Sequence, residues 1–197
     1  MAERPRNSGA RTGGARRRIL ESAVRKFYTD GIAATGIDAI TADAGVARMS
    51  LYNNFASKSA LVSASLEARH AEWLALYARR ARRAPDPVTR VLAVFDAYLD
   101  QAALAPEPGY RGNALLNAAA ELPLGDPGRE IVRRHSAEVD AILAAGLREL
   151  TDRVHADRTA QHLSYVLHGA LARSGLEADR RRLRDARTLA LDLLTAL

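Results

Sequence analysis

The chain has no cysteine. Disulfides and thiolate metal sites are therefore excluded, and a reducing compartment, the cytoplasm, fits. No run of 18 apolar residues occurs, so no membrane span is expected. The basic N-terminus lacks a following apolar stretch and does not read as a secretory signal. No segment alternates apolar and polar residues, so no strands are expected. Catalytic signatures are missing as well: there is no Gly-x-Ser-x-Gly, no dinucleotide glycine fingerprint and no P-loop. The five histidines, His70, His135, His155, His162 and His168, show no zinc-like spacing and read as surface or core imidazoles. These absences argue against an enzyme and call for no cofactor and no metal.

Acidic residues are scarce in the first third. Residues 1–60 hold ten Lys/Arg against five Asp/Glu, a net of +5, out of +6 for the whole chain of 197. A basic segment of this kind suits a polyanionic partner. Lysine is scarce throughout and arginine abundant.

What is present is helical periodicity. Residues 1–14, rich in Arg, Gly and Ser, read as a disordered basic arm. From Ala15 an apolar face forms with Ile19, Ala23 and Phe27 four apart, and Gly31 stops this helix. Thr35 and Asp38 read as a capping box for a second helix. Gly45, with positive φ, makes a turn, and a short third helix spans about 48–54 with Leu51 and Phe55 buried. Ser57 caps a fourth helix, which runs to about Arg83 with Val62, Leu66, Trp73 and Tyr77 on one face. Asp86-Pro87 and Asp126-Pro127 each open another helix. A loop at 105–110 precedes a short helix near 112–121, and two helices near 157–173 and 179–196 end the chain. The predicted fold is all-α with about nine helices. It comprises a helix-turn-helix domain at 15–60 and a helical body at 61–197.

Two short helices about a glycine turn can place the second helix in the major groove of DNA. The exposed positions of that helix are Arg48, Met49, Ser50, Asn53 and Asn54. Arg suits guanine, Asn suits adenine and Met suits the thymine methyl. Tyr52 lies at the helix edge, where its hydroxyl suits a phosphate. Lys58 follows the Ser57 cap, opposing its helix dipole, which makes sense where a phosphate docks. The helix start at Thr35 offers a similar site. Arg16, Arg17 and Arg18 suit the adjacent minor groove.

The stretch from Gly31 to Leu61 resembles the signature of the tetracycline-repressor (TetR) family of bacterial regulators. Thr35, Ile40, Ala44-Gly45-Val46, Leu51-Tyr52, Phe55, Ser57-Lys58 and Leu61 all stand at the family's spacing. The resemblance implies a homodimer on a near-palindromic double-stranded DNA operator, released by a small-molecule effector. It also implies DNA contact at Thr35, Ser50, Tyr52, Asn53 and Lys58. Two departures stand out. Ala47 replaces a frequent Ser and removes a cap from the third helix, and Met49 replaces a frequent Gly on the groove-facing surface.

The resemblance further implies a ligand pocket within helices four to eight and a dimer seam on the last two. Leu163, Val166, Leu167, Ala170 and Leu171, then Leu183, Leu189, Leu193 and Leu194, are wide enough to serve both the core and a partner. Trp73, Tyr77, Phe95, Tyr98, Asn113, Asn117 and His168 are the candidate pocket residues, and the lack of a dense charge cluster points to a fairly apolar ligand. The segment Tyr110–Glu121 is similar to a subgroup with Arg-Gly-Cys, and Asn113 in the Cys position excludes thiol sensing. The competing reading is a helical interaction module whose motif no longer touches DNA. A small helical enzyme is a remote third.

Overall fold

A computed structural model describes residues 8–105 and 109–197. Among the described residues there are nine helices and no strand: α1 (Ser8–Thr29), α2 (Ile37–Ala44), α3 (Arg48–Asn54), α4 (Lys58–Ala81), α5 (Pro87–Ala103), α6 (Ala114–Glu121), α7 (Pro127–Leu147), α8 (Arg153–Leu176) and α9 (Arg181–Thr195). The expected arm at 1–14 is corrected in part. Residues 1–7 lie outside the described residues, but α1 already begins at Ser8. Once nucleated on the face of Ile19, a helix extends at little cost per residue, even through a polar segment.

Local chemistry sets most boundaries. Ser57 Oγ accepts the Ala60 N–H at 3.0 Å and starts α4. Asp86 and Asp126 accept from Thr89 and Gly128, each followed by Pro in the first turn. Asn113 Oδ1 accepts from both Leu115 and Leu116, so the helix expected near 112 starts at Ala114. Gly45 ends α2 in the left-handed region, at φ 61°. Ala47 precedes α3 without a side-chain cap.

Three apolar clusters hold the helices together. Ile19, Ala23, Ile40, Leu51, Phe55 and Leu61 join α1 to α4 into the helix-turn-helix unit. Trp73, Phe95, Tyr98, Leu143, Leu163 and Leu183 belong to the core of the body, which draws on α4, α5, α7, α8 and α9. Between them, Ile32, Val62, Leu66, Leu115, Leu122 and Ile131 form a joint. Helix α4 contributes to all three, so the two parts share an unbroken helix. Phe27 packs against both the joint and the helix-turn-helix core.

Candidate nucleic-acid interface

The turn before α2 differs from the sequence expectation. Thr35 is 2% exposed and caps nothing. Its hydroxyl donates to the Gly31 carbonyl at 2.6 Å, while the α2 N-cap is Gly36 with no side-chain bond. Asp38 does not reach back to the helix start. Its carboxylate instead takes the Arg48 guanidinium at 2.8 and 3.0 Å, tying α2 to α3. The capping box is therefore absent, and the Thr35 side chain cannot reach a phosphate. The Gly31 carbonyl, in the bend between α1 and α2, accepts both this hydroxyl and the Thr35 N–H at 3.2 Å and so draws the side chain away from the helix ahead.

Helix α3 is fixed from inside by Leu51, fully buried, and Phe55, nearly so. Arg16 braces its end: Nη1 donates to the Asn54 carbonyl at 2.8 Å, and the guanidinium lies 4.3 Å from the Phe55 ring centre. Asn54 turns its own amide onto the Ser50 carbonyl at 2.7 Å. Arg16 and Asn54 thus have internal bonds, which the sequence did not show. Met49 (70% exposed), Tyr52 (44%), Asn53 and Arg48 point outward, and Ser50 is half-buried. Seven residues make a rod of about 10 Å, short enough for the major groove. Arg17 pairs with Glu21 at 3.7 Å, and Arg18 is exposed on α1. Lys58, half-buried, opens α4 beside the Ser57 cap.

The end of α1 is clamped to the body. Arg111 donates through Nη1 to the carbonyls of Tyr28 (3.0 Å) and Thr29, a cation on a helix C-terminus. The Arg111 N–H donates to the Tyr28 hydroxyl at 2.6 Å, and that hydroxyl donates to the Gly112 carbonyl at 3.2 Å. Gly112 has φ +88°, and a Cβ there would stand 2.8 Å from the Gly175 Cα of α8. Glu121 accepts the Ala33 N–H at 2.9 Å on the other side of the joint.

The expected ligand residues scatter. Tyr98 and Asn113 line a niche of about 20 Å³ with Tyr28, Arg69, Gln101 and Tyr110. Asn113 and Asn117 line an adjacent cleft of about 470 Å³. Trp73 and Phe95 are buried in the body's core, and Tyr77 packs at its edge, stacked on Trp73. His168 sits on α8 with its Nδ1 2.8 Å from the Ser164 carbonyl. Arg69 lies at the niche, and burial, which raises the hydroxyl pKa of Tyr28 and Tyr110, is opposed by the Arg111 N–H and the Arg69 charge at Tyr28 and by the Ser174 hydrogen bond, then Arg180, at Tyr110.

Two histidines that read as unrelated meet in the core. His70 Nδ1 lies 3.0 Å from His135 Nδ1, His135 Nε2 lies 2.8 Å from the Tyr98 hydroxyl, and His70 Nε2 lies 3.4 Å from Glu138 Oε2. One proton arrangement satisfies every contact. Tyr98 donates to His135, His135 to His70, and His70 to the Glu138 carboxylate. Burial, then the neighbouring His70 and His168, push His135 down to about 4. Burial pushes the Tyr98 hydroxyl far up, which keeps it a donor. The sequence did carry one signal: His70 falls on the buried stripe of Val62, Leu66 and Trp73.

A short exposed helix held behind a glycine turn, fronting an all-helical body, defines a helix-turn-helix DNA-binding protein. The family model described as bacterial regulatory proteins, tetR family, matches residues 19–64. A TetR-family transcriptional regulator from Streptomyces coelicolor is 30% identical with TM-score 0.82, over 92% of this chain and 94% of that one. A TetR regulator from Streptomyces avermitilis is 30% identical with TM-score 0.73, over 92% and 98%. One from Chloroflexus aurantiacus is 23% identical with TM-score 0.80, over 94% and 96%. No curated protein matches significantly. The chain belongs to the TetR family of transcriptional regulators. Among the described residues no helix is long and apolar enough to cross a membrane, and no group of three or more His, Cys, Asp or Glu could hold a metal.

Proposed function

We propose that this regulator is a one-component repressor, acting in the cytoplasm as a homodimer on a near-palindromic operator and released by a small molecule. The carrying observation is the outward face of α3, where Met49, Tyr52 and Asn53 stand clear of a fully buried Leu51. Phosphates supply much of the affinity, through Lys58 and the Tyr52 hydroxyl, so binding weakens steeply with salt.

Support for the dimer comes from apolar surface left after the core closes. Leu163, Leu167, Leu171, Leu183 and Leu194 are consumed within the subunit. Tyr165 (66% exposed), Leu176 (87%) and Leu189 (46%) remain outside on α8 and α9, with Val166 and Leu193 half-buried beside them. Two helices per subunit suit an intersubunit four-helix bundle. Paired recognition helices then read half-sites about one helical turn apart. A ligand that binds better when those helices are mis-spaced shifts the population off DNA.

The test is a footprint on DNA flanking the chain's own gene, with sedimentation to count subunits. A protected palindrome and a dimer are expected. Lys58→Ala weakens binding on all sequences and lowers the salt slope by about one. Asn53→Ala relaxes preference at one operator position, by about 1–3 kcal/mol. A dimer that protects no site favours the interaction-module reading, and a strictly monomeric chain ends the repressor reading.

A further inference from the structure

Among the described residues, Arg69 carries a buried guanidinium donor without an acceptor. Its side chain is 13% exposed and its Nη1 donates to Glu72 Oε2 at 2.9 Å. Its Nε is buried and meets no acceptor among the described residues. One turn further along α4, on the same face, the buried indole N–H of Trp73 also lacks an acceptor. Buried donors are nearly always paired, and an exception points to a partner that is absent.

The space around Arg69 has the shape such a partner needs. The niche of about 20 Å³ admits a water or a compact polar head and nothing larger. Tyr28, Tyr110, Asn113 and Leu171 line both the niche and the cleft of about 470 Å³. That cleft is within the range of small-molecule sites. With Nη1 taken by Glu72, the Nε–Nη2 edge of the guanidinium is the one left for side-on, bidentate pairing. Glu72 offsets the charge of Arg69, while Arg111 bonds to carbonyls and adds positive charge nearby, with the carboxylates of Asp30 and Glu121 in its surroundings.

We propose that this niche and cleft are the effector site, and that the effector carries a carboxylate or similarly compact oxyanion on an apolar body. This rests on the reading of the chain as a ligand-released regulator. The anion pairs with the Nε–Nη2 edge of Arg69, displacing what packs against the buried Nε, and the body occupies the cleft. One wall of the cleft is Phe27, Tyr28 and Gly31, at the end of the DNA-binding unit; another is Tyr110, Arg111 and Asn113. An occupant therefore bears on the contacts that fix α1 to the body. The arginine-bearing niche takes the place of the uncharged pocket that the sequence suggested.

Trp73 is the one tryptophan of the chain, and its ring lies 5.1 Å from that of Tyr98, which lines the niche. Its emission reports binding in the full-length protein. The probes are 3-phenylpropionate and octanoate, each against its uncharged amide. The acids are expected to shift the emission saturably and to bind roughly tenfold or more tighter than the amides. Arg69→Met is expected to abolish that preference and Arg69→Lys to keep part of it, both unfolding in urea with the wild-type m-value. Equal binding of acid and amide overturns the inference, as does acid preference surviving in Arg69→Met, or no response to either acid at millimolar concentration. The same probes are added to the footprint. DNA released by amides but not acids leaves the repressor reading intact and removes the anionic effector. Acids that bind a protein with no footprint do the reverse.

Discussion

Acidification should strike the His70–His135 pair first. In the neutral chain each contact has one donor and one acceptor. His135 already gives its Nδ1 proton to His70, so a second proton goes to Nε2 and meets the Tyr98 O–H at 2.8 Å in a buried space. The groups facing the pair are Tyr98, Glu138 and His168, and none supplies a buried negative charge against His135. The unfolded chain takes up this proton near 6.5, the ordinary histidine value, whereas the folded chain does so only near 4. Unfolding therefore binds a proton throughout that window. Stability is fully present above about pH 7 and falls as pH drops toward 4, by about 2 kcal/mol at pH 5 from His135 alone. Against a total stability of about 5–15 kcal/mol this is measurable. Urea unfolding followed by Trp73 emission at pH 7.5, 6 and 5 reads it directly. His135→Gln should be less stable at pH 7.5, yet lose about 2 kcal/mol less on going to pH 5. If wild type and His135→Gln show the same pH slope over this range, the buried neutral pair is not the source and the proton assignment is wrong.

Two further outcomes are expected. Leu51→Ala, at a fully buried position of α3, should lower stability by about 3 kcal/mol in urea unfolding and abolish the footprint, since it empties the core behind the recognition face. Gly112→Ala places a Cβ 2.8 Å from the Gly175 backbone at φ +88°. It should cost more than about 1 kcal/mol, seen as a fall in Tm, and disturb the Arg111 clamp.

Much of this was legible because it is written locally. Ser57, Asp86, Asp126 and Gly45 act within a turn of their own positions, so spacing alone locates them. Leu51 and Phe55, four apart, fix which side of α3 faces out. Thr35 misleads because the winning acceptor is the carbonyl of Gly31, in the bend between helices rather than in the helix ahead. The leucines of α8 and α9 are ambiguous for another reason: periodicity says that a face is apolar and not which neighbour covers it. The joint was out of reach. Tyr28 and Arg111 are 83 residues apart, and His70 and His135 are 65 apart. No local pattern says which helices will bring such residues into contact.

The clamp on Tyr28 sits at one end of a stiff arm. Arg16, which touches the end of α3, lies twelve residues earlier on α1, about 18 Å away at helical rise. A tilt of about 10° about the Tyr28 end would swing α3 by about 3 Å, the length of a hydrogen bond. A modest disturbance where Arg111 grips the carbonyls of α1 is thus magnified at the exposed face of α3, so the proposed release from DNA needs no large rearrangement.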